Sequence, residues 1–151
     1  MVLLDDDDQL RCTQQDVLVL HYQECFSDGT PRGMEGQKLA FTVFGPGVGK
    51  ALGRAADAVT VASVLRTNVS EGRLLEMRHD PEVTQKLAGH PNLRWRLAEV
   101  LGEGVLDTFM GGPLVIEPAP GATGTPASTS SDSDALLIRV RPEYDFLPQS
   151  G

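Results

Sequence analysis

The sequence predicts an α+β fold, and three observations carry that prediction. Two runs alternate apolar and polar residues with the period of a strand, Asp16 to Phe26 and Gln37 to Phe44. A glycine-rich turn, Gly45 to Lys50, then opens an apolar stretch from Ala51 to Leu65 that has no polar face and suits a buried helix. A further alternating run, Ala135 to Arg141, supplies a closing strand with Leu136, Ile138 and Val140 inward.

The elements come in this order. Asp5 to Asp8 repel one another and read as part of a solvated acidic arm over residues 1–15, with nothing nearby to complete a cation cage. The first strand ends in Ser27-Asp28-Gly29-Thr30, which is turn chemistry. Leu39, Phe41 and Val43 share one face of the second strand, and the two strands read as an antiparallel pair. The helix beginning near Ala51 has a β-prone tail, Val59-Thr60-Val61, so the state of residues 59–65 is left open between helix and extended chain.

Arg73 to Met77 reads as a short strand or a helical turn. Asp80-Pro81-Glu82 starts a short helix, with Asp as N-cap and Pro at the first position, closing at Gly89. Pro91-Asn92 starts another, because Leu93, Leu97, Val100 and Leu101 recur at helical spacing. Trp95 would lie about 200° from Leu93 on such a helix, so it is either an exposed interface anchor or core in a helix clamped on both sides. Leu114 to Ile116 is a short strand, residues 117–134 are a flexible Pro-, Gly- and Ser-rich loop, and residues 147–151 a tail. One domain, residues 16–146, carries an inserted segment over 79–134.

Composition narrows the function. The chain has 151 residues, one domain's worth, and a formal net charge of -8. That charge argues against nucleic acid and against an anionic membrane as partner, and it suits a basic or apolar protein surface. Cys12 and Cys25 have neither metal-ligand spacing nor a disulfide framework, which fits a reducing compartment. Met1 to Leu4 runs straight into aspartates, without the basic and apolar regions of a secretory signal, and no apolar run is long enough to span a bilayer; the expectation is a cytoplasmic location.

Chemistry-bearing motifs are few. Phe44 to Ala51 is similar to a phosphate-binding loop, but Phe44 replaces its first glycine and Ala51 its magnesium-binding hydroxyl. His21, His79 and His90 are scattered, and no serine or cysteine has a nucleophile's setting. No catalytic residue, metal site or cofactor is expected.

Two families are similar in part. His21-Tyr22 followed by Asp28-Gly29-Thr30, Leu39 to Val43 with Val48, Val69 to Leu75, Asp80-Pro81 and Ala135 to Val140 together resemble, in order, FK506-binding domains. The resemblance implies an antiparallel sheet curved around a central helix, with an inserted helical segment before the last strand. It also implies a proline-binding bowl, of which Tyr22, Phe41 and Val48 would be the remaining walls. Other bowl positions fall on Gly49, Leu52 and Arg139, and Pro31-Arg32-Gly33 replaces a Phe-Asp pair. The chain is thus most similar to non-catalytic members, of the aryl-hydrocarbon-receptor-interacting type, and the expected function is a chaperone-associated scaffold or protein-interaction module binding through Tyr22, Phe41, Val48 and Trp95. A weak prolyl isomerase is the alternative. The second likeness, of Gly53 to Ala62 to the helix of Alba-type nucleic-acid-binding proteins, needs a one-residue gap that would rotate the rest of that helix by about 100°.

Overall fold

The computed structural model describes residues 2–14, 16–26, 28, 30, 36–68, 72–119 and 136–140. Within them the chain is mostly sheet. The strands are β1 (Leu3–Leu4), β2 (Leu10–Thr13), β3 (Val19–Glu24), β4 (Leu39–Phe44), β5 (Ala58–Ala62), β6 (Val64–Asn68), β7 (Gly72–Arg78), β8 (Arg94–Gly102), β9 (Val105–Glu117) and β10 (Leu136–Val140). Two short helices, α1 (Val48–Leu52) and α2 (Pro81–Leu87), come after β4 and β7 and pack against each other. Among the described residues no helix is long and apolar enough to cross a membrane.

The strands form two mixed sheets, β1-β2-β9-β8-β4-β5 and β10-β3-β7-β6. Among the described residues parallel pairing is confined to β2 with β9 and β3 with β10. One core lies between the sheets and takes Leu39, Phe41, Val43, Trp95 and Leu97 from the first and Leu20, Tyr22, Leu75, Met77 and Ile138 from the second. The chain passes from one sheet to the other at Ser63, the single residue between β5 and β6. There the backbone N–H of Ser63 donates to the Leu39 carbonyl at 2.9 Å, and the Ser63 hydroxyl accepts from the Leu39 N–H at 2.9 Å. These two bonds hold the corner.

Several expectations are corrected. The helix read from Ala51 to Leu65 is only the five residues of α1. Gly53 ends it in the left-handed region at φ 71°, and its N–H turns back to the carbonyls of the helix. From Ala58 onward the chain is strand, so the Alba-like helix is absent and residues 59–62 and 64–65 are extended. The β-branched residues Val59, Thr60, Val61 and Val64 decide this, since they fit a pleated surface better than a helix interior. Nor are β3 and β4 an antiparallel pair, because they belong to different sheets.

The helix expected from Pro91 is β8. Its inward residues, Trp95 and Leu97, alternate with Arg94 and Arg96, a period of two that outweighs the helical spacing of the leucines. Among the described residues of the inserted segment only α2 is helical, where Asp80 caps the Glu82 N–H at 3.0 Å as its sequence requires, and β8 and β9 form a β-hairpin. Leu114 to Ile116 is the end of the long strand β9.

The acidic arm is also sheet. Asp5 Oδ1 accepts from the N–H groups of Asp7 and Gln9 at 3.0 and 2.9 Å, which makes the aspartates the turn of the β1–β2 hairpin. The carbonyl of Asp8 accepts the indole N–H of Trp95 at 2.9 Å. Val2, Leu10 and Cys12 are buried beneath this hairpin. The loop at Pro31 to Gly33, the turn at Ser70-Glu71 and most of the 117–134 loop lie outside the described residues.

Because Trp95 fills the core and anchors the N-terminal turn, Trp95→Ala is expected to cost about 3–5 kcal/mol in urea-unfolding free energy, followed by circular dichroism. A loss under about 1 kcal/mol would mean that the indole is not packed as described.

Candidate functional site

The four residues expected to bind a partner are all buried. Phe41 and Trp95 meet edge to face at 6.3 Å between ring centroids, and Phe41 meets His79 likewise at 4.6 Å. Val48 joins the same core from α1. These three side chains hold the fold together and none is presented as a surface. Tyr22 stands apart from them toward the other end of the core. Its hydroxyl donates to Glu24 Oε2 at 3.0 Å, and Gln37 Nε2 donates to the same oxygen at 2.9 Å.

The flank of Tyr22 is covered by Phe109, with ring centroids 5.6 Å apart at 62°. Strand pairing explains how Phe109 reaches it. Leu97 faces Met110 and Ala98 faces Thr108, so Phe109 is an extra residue on β9, a bulge that re-aims its side chain. A second irregularity lies between Val100 and Gly102, where Leu101 is the extra residue on β8. Both bulged residues are apolar and exposed.

Beyond Glu99 the β8–β9 hairpin runs past β4, whose pairing ends at Leu39. Every residue from Leu101 to Phe109 is exposed, including Leu101 at 61 %, Val105 at 52 %, Leu106 at 44 % and Phe109 at 43 %. The turn at Glu103-Gly104 stands in open space, and Gly104 takes φ 72°, which a side chain would resist. Glu99, Glu103 and Asp107 sit among these apolar groups, and no Lys, Arg or His occurs from Leu97 to Ala119. This apolar, acidic hairpin end is the candidate site. Sequence reasoning missed it because a helical reading of Leu93 to Leu101 hid the hairpin; Gly102-Glu103-Gly104 between apolar residues was the turn signal that could have found it.

Several polar groups elsewhere are committed to structure. On the face of the β3–β7 sheet away from Tyr22, Glu76 accepts from Arg66 at 2.6 Å, pairs with His21 at 2.9 Å and meets Arg78 at 3.4 Å. Burial pushes its carboxyl up, but the hydrogen bonds from His21 and Arg78 and the charges of Arg78 and Arg66 outweigh that and hold it below its ordinary value. A carboxylate so occupied is a poor general base. Burial pushes the Cys12 thiol up to about 12, with Asp16 adding to the effect, so it is protonated and unreactive.

The glycine loop is likewise engaged internally. The N–H of Gly49 donates to Asp57 Oδ1 at 2.8 Å, and a β-carbon there would meet the Arg54 and Ala56 carbonyls at 2.7 and 2.5 Å. Its amide is satisfied by the protein's own carboxylate where a phosphate-binding loop would offer it to a ligand. A cleft of about 390 Å³ lies between Gly89–Leu93 and Pro113–Pro118. Of its three polar side chains, His90 turns to the Pro46 carbonyl at 2.7 Å and Glu117 to Arg11 at 2.6 Å, and the third is Asn92.

Comparison with protein-family models, with curated proteins and with solved structures finds no match to this chain.

His79 gives the fold a pH dependence. Its Nε2 bonds the Phe41 carbonyl at 3.1 Å while Nδ1, fully buried, has no partner. Burial lowers its pKa from 6.5 to about 4, only partly opposed by the Phe41 bond, so the imidazole is neutral in the fold. Between those values the unfolded chain takes up a proton that the native chain refuses, and stability falls as pH falls. The expected loss from this group is about 3 kcal/mol on going from pH 7 to pH 4. Urea unfolding should show wild type losing that much more than His79→Gln over the same interval; parallel losses would assign the effect to other groups.

Proposed function

We propose that the chain is a non-catalytic module that acts by binding another protein. One observation carries the reading: Phe109 covers the flank of Tyr22, where the FK506-binding resemblance would seat a prolyl ring. The family likeness contributes Tyr22 as the wall of such a bowl and little else, since its other walls, Phe41 and Val48, are packed into the core away from solvent. Twisting a prolyl bond against a barrier of about 18–20 kcal/mol needs a shaped apolar cavity that admits the peptide. A tyrosine already in contact with an aromatic of its own chain favours binding over that chemistry. The exposed apolar residues of the β8–β9 hairpin support the same reading, because large apolar groups clustered at the surface mark interaction sites.

A prolyl-peptide isomerisation assay tests it. The expected result is the uncatalysed rate at every protein concentration, for wild type and for Phe109→Ala alike. Acceleration by wild type that disappears in a folded Tyr22→Ala variant would overturn the proposal in favour of a prolyl isomerase.

A further inference from the structure

We infer that the end of the β8–β9 hairpin is the docking surface, and that its occupant is an extended, basic and apolar segment of a partner protein pairing along the free edge of β9. The inference rests on the reading of the chain as an interaction module and names the surface and the chemistry of what binds.

The edge is available. From Leu114 to Glu117 β9 pairs with β2, and on its other side it pairs with β8 from Val105 to Pro113. Among the described residues no strand pairs with the outer edge of Val105 to Pro113. The Asp8 backbone lies against Gly112 and closes the inner part, which leaves Val105 to Phe109 without a pairing strand among the described residues. An open strand edge offers unpaired N–H and C=O groups to another chain. Edges of this kind are normally guarded by charge, proline or a bulge; between Val105 and Phe109 there is no lysine or proline, and the guards are Asp107 and the bulge at Phe109.

The charge selects the occupant. Glu99, Glu103 and Asp107 have no ion-pair partner among the described residues, and no Lys, Arg or His occurs from Leu97 to Ala119; Lys38, whose carbonyl accepts from the Val100 N–H at 2.8 Å, adjoins the base of this end without forming an ion pair with them. Two copies meeting through this end would set carboxylates against carboxylates, on chains that each carry -8, which disfavours self-pairing. Glu99 and Asp107 face each other across the hairpin and Leu106, opposite Val100, lies on the other face, so a strand alternating cationic and apolar residues sets its charges by the acids and its apolar side chains by Leu106. Alternation matters because successive side chains of a strand point to opposite faces.

The probe is a short synthetic peptide alternating lysine and valine, compared with its glutamate–valine counterpart at about 0.15 M salt, where long-range attraction is screened. Titration of the full chain is followed by amide chemical shifts. The expected result is binding of the lysine peptide, at least about tenfold tighter than the glutamate one, with shifts concentrated in residues 101–110. Leu106→Asp and the double variant Glu103→Lys, Asp107→Lys should each weaken it about tenfold while near-ultraviolet circular dichroism stays native; all three positions are exposed and outside the core.

Three results would overturn the inference: equal affinity for the two peptides or none, shifts centred on Asp5 to Asp8, or a concentration-dependent dimer abolished by Leu106→Asp. A null result here together with no isomerase activity removes this surface and leaves the broader interaction reading in place.

Discussion

Phe41 is the contact on which the two sheets depend. It sits in the middle of β4, its ring edge-on to Trp95 of β8 and to His79 at the end of β7, while its carbonyl accepts the His79 Nε2 proton. One residue of the six-stranded sheet thereby binds its own neighbour and the exit of the four-stranded sheet. His79 is fixed from its backbone as well, since its N–H donates to the Leu18 carbonyl at 3.0 Å. The imidazole is neutral because it is dry, and it is dry because these elements close around it. Trp95 extends the same contact outward to Asp8, so the N-terminal hairpin is tied in through one indole hydrogen bond.

With the core fixed in this way, the two ends of the molecule differ. At one end β4 and β7 run into α1 and α2, whose buried Val48, Leu52, Val83 and Leu87 close the apolar interior. At the other the hairpin overshoots the sheet and leaves apolar groups in water. Its two bulges give the overshoot a shape: one turns Phe109 back onto Tyr22, and the other leaves Leu101 outward. Acidic residues keep such a surface soluble and, at the same time, restrict what can settle on it.

The legible parts of the fold were those where local signals agreed. β3, β4 and β10 arise from alternation, and α2 from Asp80-Pro81-Glu82, because N-cap, proline and acidic first turn all favour one start. Failures came where two periods competed. Leu93, Leu97, Val100 and Leu101 satisfy a helix, while Trp95 and Leu97 against Arg94 and Arg96 satisfy a strand. Pairing with β4 on one side and β9 on the other settled it, and β4 is distant in sequence. For the site, the sequence offered Tyr22 as the remaining wall of a bowl and left open whether the space beside it is filled. The residue that covers it is 87 positions away, from 22 to 109.

The sequence by itself determined the strands β3, β4 and β10, the α2 start and the acidic balance, because these depend on neighbours a few residues apart. Only tertiary structure decided that Ala58 to Asn68 is strand in two sheets, that the aspartates form a turn beneath Trp95, and that the apolar end of the β8–β9 hairpin is exposed. Those outcomes depend on which strand lies beside which. Hydrogen bonds between distant strands and the burial that accompanies them override the local preference for helix, and no window of adjacent residues contains them.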